Sequence, residues 1–237
     1  MPKTIPLPWF EHAAFDVVVI ASSLGGPGTL RRIFSALPPD FPAPIVVVQH
    51  LSAQTSVPLH GLVARSRLPL EWASEGARLR AGTVYLASPG RHLRVTRTCS
   101  FRLSDEPRVG FSRPSADLLF ASAAESFGPR TLGAVLGGRL SDGTAGAVEI
   151  RRAGGVVLAQ DPETCIAPSM PQSALRQGGV DFVLPPEGIV SALVSLVMVP
   201  GARALFGVQR RVAWGGAGTG TYLPSPRPGR LLHQDPS

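Results

Sequence analysis

The sequence has few of the features that mark disulfide-rich or membrane-spanning proteins. Its two cysteines, Cys99 and Cys165, lie far apart and match neither a disulfide framework nor a metal-ligand spacing. No apolar run reaches the roughly 20 residues that a membrane-spanning helix needs; the best candidate is residues 189–199. The first residues lack the apolar segment and cleavage site of a signal peptide. We therefore expect a cytoplasmic protein with reduced thiols and without stable membrane insertion.

Charged and aromatic residues are also scarce, at 16% and 6% of the chain. The formal net charge is +7, and its location matters more than its size, because five arginines and one aspartate follow residue 200. A nucleic-acid-binding protein typically carries a basic face with interleaved aromatic residues. This distribution therefore argues against nucleic acid as a partner, while the 44% of apolar residues is enough for a buried core.

Composition and periodicity divide the chain into three parts. Residues 1–14 are rich in proline and predict a flexible arm, and residues 201–237 are rich in glycine, proline and arginine and predict a disordered tail. Between them, residues 15–200 alternate short apolar strands with helical patterns, one of which covers residues 55–67. Such strands are typical of a parallel sheet covered on both faces. We predict an α/β fold with a doubly wound, mostly parallel sheet flanked by helices, and an added β-hairpin over residues 92–104.

Polar side chains follow the predicted strands where those strands end. Ser22 and Ser23 come directly after the strand over residues 16–21, in the run "VVVIASSLGGP". His50 follows the strand "PIVVVQ", and Asp142 lies a few residues past the strand "TLGAVL". Ligands of open parallel sheets bind outside the carboxyl ends of the strands. If these strands are neighbours, a serine, a histidine and an aspartate converge at one edge of the sheet.

A serine, a histidine and an aspartate at one site are the groups that nucleophilic hydrolysis requires. The histidine takes the proton of the serine hydroxyl, and the acid orients the ring and stabilises the imidazolium. Each residue also has a structural alternative. Ser22 or Asp142 would serve as the N-cap of the helix that follows it, and His50 as a hydrogen-bonded residue at a strand end. All three falling at one edge favours the catalytic interpretation.

Gly25 and Gly26 follow the serines at a sharp turn into a predicted helix. Glycine tolerates positive φ and lets the backbone approach a substrate closely, and amides at a helix start can bind an oxyanion. The same turn would suit a phosphate loop. However, the G-x-G-x-x-G pattern, the lysine of a P-loop and the G-x-S-x-G elbow are all absent, so a nucleotide-binding protein is a distant alternative.

Several segments, in order, resemble the CheB family of chemoreceptor methylesterases. The run "VIASSLGGP" is similar to that family's I-G-A-S-[TA]-G-G signature. The resemblance continues through "VVVQH", "GARLRAGTVYLASPGRHL", "SRPSADLLFASAA", "LSDGTAGAVEIRRAGGVVLAQDPETC" and "MPQSALRQGGV". It extends over about residues 15–197, which is nearly all of the predicted ordered chain.

The resemblance implies a serine hydrolase that removes methyl esters from glutamate residues on the cytoplasmic helices of methyl-accepting chemotaxis receptors. In many members it also implies deamidation of glutamine. The implied triad is Ser23, His50 and Asp142, since alignment on the glycine pair selects Ser23 over Ser22. The implied oxyanion and pocket residues are Leu24, Gly25, Gly26 and Arg139. Neither a metal nor a cofactor is required.

The sequence departs from the family pattern at several positions near the implied site. Leu24 replaces a threonine or alanine, and Arg139 replaces a methionine in "GGRLSDG". Two alternatives therefore stay open: a catalytically silent binding module with the same fold, and an esterase for small esters unrelated to receptors. Arg113 and His92 are weaker candidates for lining the site, with surface or packing roles as the alternative.

Typical members of the family carry an amino-terminal receiver domain that blocks the site until it is phosphorylated. Here only about 15 residues precede the first predicted strand, without a cluster of acidic residues for a phosphoacceptor pocket. We expect such control to be absent or supplied by another protein.

Overall fold

The computed structural model of the protein describes residues 13–50 and 66–199. Nearly all of the predicted arm and most of the predicted helix over residues 55–67 lie outside these ranges, as does the whole predicted tail. No helix within the two described ranges is both long and apolar enough to cross a membrane.

The strands in this part of the chain are β1 (Val17–Ser22), β2 (Ile45–Gln49), β3 (Leu70–Trp72), β4 (Val84–Leu86), β5 (His92–Val95), β6 (Phe101–Ser104), β7 (Thr131–Val135), β8 (Val156–Gln160) and β9 (Phe182–Leu184). Seven of them form a parallel central sheet in the order β3-β4-β2-β1-β7-β8-β9. The other two, β5 and β6, form a separate antiparallel hairpin.

Helices cover both faces of this sheet. The α-helices in the described ranges are α1 (Gly26–Ala36), α2 (Ala116–Phe127), α3 (Thr144–Arg152), α4 (Ser169–Arg176) and α5 (Pro186–Met198). One face of the sheet carries α1 and α5, and the other carries α2, α3, α4 and the hairpin. The prediction of a doubly wound sheet with an added hairpin is confirmed.

The central strand β1 contributes to two separate cores because successive side chains of a strand point to opposite faces. Val18 and Ile20 pack with α1 and α5, whereas Val17, Val19 and Ala21 pack with α2 and α3. All five side chains are fully buried. This explains why the strand is apolar at every position instead of alternating.

The order of the strands reverses between β1 and β7. From β1 the chain enters α1 on one face, and from β7 it enters α3 on the opposite face. A crevice opens at the carboxyl ends of the strands wherever such a reversal occurs. The fold therefore places a crevice beside the segments that follow β1, β2 and β7.

Gly146 lets α2 and α3 approach closely. A Cβ at this position would lie 2.4 Å from Phe120 Cβ and 2.9 Å from the carbonyl oxygen of Asp117. The Gly146 amide also donates a 2.8 Å hydrogen bond to Asp117 Oδ1. The contact fixes the position of the α2 amino terminus, which the candidate site uses.

We expect Gly146→Ala to destabilise the protein by about 1–3 kcal/mol, because overpacking outweighs the better helix propensity of alanine. Gly28→Ala in α1 is the matched control, since no atom lies within 4 Å of a Cβ built there; it should be neutral or stabilising by up to about 1 kcal/mol. Urea unfolding of the two variants measures both effects. Equal stability of both variants would contradict the close-packing interpretation.

Candidate active site

Ser23 and His50 occupy equivalent positions just beyond two neighbouring strands. Ser22 pairs with Gln49 in the β1-β2 register, and the His50 amide donates to the Ser22 carbonyl at 2.9 Å. Gln49 Nε2 donates to the carbonyls of Ser23 at 3.0 Å and His50 at 2.9 Å. The backbone positions of the candidate nucleophile and base are therefore tied together by one amide side chain.

Asp142 meets His50 across 92 residues of sequence. His50 Nε2 lies 2.8 Å from Asp142 Oδ2, and the two side chains are 18% and 8% exposed. In the neutral ring, Nε2 carries the proton that this contact needs, which leaves Nδ1 as the acceptor. The carboxylate thus selects one tautomer of the imidazole.

The Asp142 carboxylate also caps the amino terminus of α2. Its Oδ1 accepts hydrogen bonds from Ser115 Oγ at 2.8 Å and from the amides of Asp117 and Gly143 at 3.1 Å. Its Oδ2 accepts one from the Ala116 amide at 2.7 Å. The alternative that Asp142 is simply the N-cap of the following helix, α3, is wrong, because the helix it caps lies earlier in the chain.

These contacts set the charge of Asp142. Burial by itself would raise the pKa of this carboxyl, but the hydrogen bonds from His50, Ala116 and Asp117 outweigh burial and lower it. The neighbouring Asp117 carboxyl behaves in the opposite way: burial, together with the charge of Asp142, raises its pKa, although the Gly146 amide opposes the rise. Of the two carboxyl groups, Asp142 is therefore the one that loses its proton at the lower pH.

Ser23 and His50 line the same cavity, which has a volume of about 220 Å³. Within the described ranges, the structure shows no hydrogen-bond partner for Ser23 Oγ. Its hydroxyl is therefore free to turn toward the ring or toward a substrate. The remaining lining residues are Gln49, Pro89, Arg108, Phe111, Ser112, Arg113, Pro114, Arg139 and Leu140.

The turn after Ser23 contains one glycine in the left-handed conformation and one tightly packed glycine. Gly25 has a φ of 84° and is the N-cap of α1. A Cβ on Gly26 would lie 1.8 Å from Ser22 Oγ. The Gly26 amide donates to the Ser23 carbonyl at 2.9 Å, so it does not face an oxyanion as the sequence suggested. The amides of Leu24 and Gly25 have no acceptor in the described part of the chain.

The loop after β7 lies directly against Ser23. A Cβ on Gly138 would lie 2.6 Å from Ser23 Cβ and 2.0 Å from Met170 Sδ, so only glycine fits there. The Gly138 amide donates to the Ala167 carbonyl at 2.8 Å, which fixes the loop. Leu140 has a positive φ of 65°. This backbone brings Arg139 to the cavity wall beside the serine.

Ser22 does not have the capping role that the sequence suggested for it. Its side chain is fully buried, and its Oγ has no hydrogen-bond partner among residues 13–50 and 66–199. The Oε1 atom of Gln49 is likewise buried without a partner among those residues. Of the two adjacent serines, only Ser23 lines the cavity.

The weaker candidates take different places. Arg113 lines the cavity, whereas His92 is fully buried. His92 Nε2 donates to the Pro107 carbonyl at 3.0 Å, and Nδ1 accepts from the Ser115 amide at 3.2 Å. His92 thus supports Ser115, which bonds Asp142. In the two described ranges no group of three or more His, Cys, Asp or Glu side chains is arranged to hold a metal ion.

Sequence reasoning missed two residues of this network, Gln49 and Ser115. Gln49 is a polar side chain at the last position of a buried strand, and this position in the sequence could have indicated a role at the edge of the sheet. Ser115 precedes a helix, as a capping serine does, but its Oγ donates to Asp142 Oδ1, which lies 27 residues away in sequence. Only the fold reveals that contact.

Comparisons with known proteins agree on one family. A family model described as CheB methylesterase matches residues 18–193. A protein of Anaeromyxobacter dehalogenans named protein-glutamate methylesterase/protein-glutamine glutaminase 2 is 46% identical over 185 residues, covering 78% of this chain and 54% of that protein. The protein-glutamate methylesterase FrzG of Myxococcus xanthus is 39% identical over 186 residues, covering 78% of this chain and 56% of FrzG.

A solved structure extends the agreement to the fold. The CheB methylesterase catalytic domain of Thermotoga maritima superposes with a TM-score of 0.74 at 37% identity, and the match covers 77% of this chain and 98% of that domain. The chain spans about half the length of the two curated relatives named above.

The opposite pKa shifts of Asp142 and Asp117 predict opposite pH effects on stability. The lowered folded-state pKa of Asp142 means that its stabilising contribution is present above the unfolded value of about 3.9 and is lost as pH falls through the folded value. We expect Asp142→Asn to cost about 1–3 kcal/mol at pH 7. This deficit should shrink below about pH 4, where the wild-type carboxyl protonates.

Asp117→Asn is the matched control, since it removes one negative charge from the same helix end. The raised pKa of Asp117 means that its charge costs stability at neutral pH and that the cost disappears as pH falls. This variant should therefore be neutral or stabilising at pH 7. Urea unfolding at several pH values measures both variants, and an Asp142→Asn deficit that stays constant below pH 4 would contradict the assignment.

Proposed function

This chain belongs to the CheB methylesterase family, and from that premise we propose that it hydrolyses glutamyl methyl esters on the cytoplasmic helices of chemoreceptors. It works in the cytoplasm as a serine hydrolase. The observation that carries the proposal is the 2.8 Å contact between His50 Nε2 and Asp142 Oδ2, made by a histidine that lines the same cavity as Ser23. The relatives' names supply the substrate class.

In the first half of the reaction, Ser23 Oγ attacks the ester carbonyl carbon. His50 takes the hydroxyl proton on the ring nitrogen that is not bonded to Asp142. The ionised carboxylate stabilises the imidazolium that results. When the tetrahedral intermediate collapses, the bond to the methoxy oxygen breaks, His50 returns the proton to it, and methanol leaves.

In the second half, water replaces methanol. His50 takes a proton from the water as its oxygen attacks the acyl carbon, and the bond to Ser23 Oγ breaks. His50 passes this proton to Ser23 Oγ, and the glutamic acid that forms releases its remaining proton to solvent, so the product is a glutamate carboxylate. A glutamine substrate follows the same two halves with ammonia as the leaving group, and the name of the Anaeromyxobacter relative includes that activity.

Backbone amides stabilise the developing oxyanion in this proposal. The donors we assign are the amides of Leu24, which directly follows Ser23, and of Arg139, which directly follows Gly138, the residue whose backbone packs against Ser23 Cβ. Donors of this kind each contribute about 3–4 kcal/mol to transition-state stability in a hydrolase. Because the amides belong to the backbone, the unusual side chains at these two positions do not remove them.

A catalytically silent module with the same fold is the second candidate function, and the Leu24 and Arg139 departures are what favour it. Against it stands the cost of the Asp142 arrangement. A carboxylate 8% exposed that also orients an imidazole is expensive to bury. A binding module has no use for a selected His50 tautomer.

We expect Ser23→Ala to reduce methanol release from methylated receptors by about three orders of magnitude or more. Ser22→Ala is the matched control: it removes a hydroxyl from the adjacent position, where the oxygen is buried and has no partner in the described part of the chain. It should retain most of the activity. Methanol release by both variants and the wild type is the measurement. Equal loss in the two variants, or no release by the wild type, would reject the proposal.

The rate should fall toward acidic pH because a protonated imidazole cannot accept the Ser23 proton. The lowered pKa of Asp142 keeps that carboxylate ionised above about pH 4. Protonation of Asp142 therefore does not account for a fall in kcat/KM above that pH. Initial rates between about pH 5 and 8 test this, and a flat profile would contradict His50 as the base.

A further inference from the structure

Three arginines line the cavity that contains Ser23. They are Arg108, Arg113 and Arg139, and none forms a salt bridge with an acidic side chain anywhere in residues 13–50 or 66–199. No Asp or Glu side chain lines this cavity, whereas eight of the thirteen described arginines outside it pair with a carboxylate. The Asp142 carboxylate behind His50 is already bonded to that ring and to the α2 amino terminus. A cavity lined by an excess of positive side chains attracts anionic groups.

The acidic residues near these arginines in sequence have other partners. Asp142, three residues after Arg139, bonds His50, and Asp117, four residues after Arg113, accepts from the Gly146 amide. Asp105 lies 3.1 Å from Arg91, and Glu106 lies 2.6 Å from Arg94. Arg113 Nη1 donates to the backbone carbonyls of Asp105 and Glu106, at 3.1 Å each. Arg113 is therefore held by the protein itself, and its guanidinium is the least free of the three.

Arg108 and Arg139 are exposed and differ from Arg113 in this respect. Arg108 Nη1 makes one bond, to the Phe111 carbonyl at 3.1 Å. The turn that joins Arg108 to Phe111 is closed by two backbone hydrogen bonds between Val109 and Ser112, at 3.2 Å and 3.0 Å. The guanidinium of Arg108 is thus positioned by a defined turn while most of its donors stay available.

Large apolar side chains stand beside these two arginines. Phe111 is 78% exposed and Leu140 is 57% exposed, and both line the same cavity. Exposed apolar groups gathered at one place typically mark an interaction site. The cavity mouth therefore presents two cationic and two apolar groups together around the reactive serine.

We propose that Arg108, Arg139, Phe111 and Leu140 select an amphipathic, acidic helix as the segment that carries the ester. This inference rests on the proposed function. Phe111 and Leu140 contact the apolar stripe of that helix. Arg108 and Arg139 bind carboxylates three or four residues from the esterified glutamate, because side chains at that spacing lie on the same side of a helix. Charge complementarity is the argument for this occupant.

The test uses three helical peptides that carry one glutamyl methyl ester and differ only three and four residues away on either side. These positions hold glutamate, alanine or lysine. We expect the wild type to hydrolyse the glutamate peptide with a kcat/KM about tenfold or more above that of the alanine peptide at low salt. The ratio should fall as salt is added, because exposed charges are screened.

The double variant Arg108→Gln/Arg139→Gln should lower that ratio to about one. Arg102→Gln is the matched control, since Arg102 is also exposed and does not line the cavity; it should keep the wild-type ratio. The charge reversal Arg108→Glu/Arg139→Glu should make the lysine peptide the better substrate. Each readout is a ratio within one variant, so a general loss of rate does not affect it.

The outcomes separate the two proposals. If the wild type hydrolyses none of the peptides, the proposed function fails. If the wild type hydrolyses the glutamate and alanine peptides equally well, the selection by Arg108 and Arg139 is overturned while the esterase stands. The selection is also overturned if the preference survives in the double glutamine variant, or if Arg102→Gln removes it.

Discussion

The site depends on one carboxylate that has two structural tasks. Asp142 accepts hydrogen bonds from the first amides of α2 and from the Ser115 hydroxyl, and it also accepts one from Nε2 of His50. The positive end of the helix dipole and the hydrogen bonds together keep this buried group ionised. Because the α2 amino terminus is itself positioned by its contact with α3 at Gly146, the packing of two helices determines the orientation of an imidazole at the edge of the sheet.

The second constraint is that the segments after β1, β2 and β7 pack closely together at the point where the strand order reverses. Parallel register brings Ser23 beside His50, and Gln49 ties their carbonyls together. Gly26 then lets the start of α1 pack against Ser22 and Gln49, and Gly138 lets the loop after β7 pack against Ser23. The result is a small cavity that contains Ser23 and has backbone packed closely around it. A change of side chain at Leu24 or Arg139 leaves the backbone amides in place, which reconciles these two residues with the proposed hydrolytic site.

The sequence alone predicted most of the fold, and the two wrong predictions about helix capping have the same cause. The apolar runs predicted every described strand of the sheet and the hairpin. The predicted capping role of Ser22 was wrong, because the serine lies in the interior and Gly25 is the N-cap of α1. The capping role assigned to Asp142 fell on the wrong helix. Both errors came from judging a polar residue by its nearest neighbours in sequence.

The sequence by itself determined the fold class and the edge at which Ser23, His50 and Asp142 lie, because the hydrophobic period of a strand and the position of its end are local properties. Only the tertiary structure decided which serine lines the cavity, which helix Asp142 caps and which arginines have no acidic partner among the described residues. Those outcomes depend on contacts between segments from 26 to 92 residues apart. Such contacts exist only after strand order and helix packing have brought the segments together.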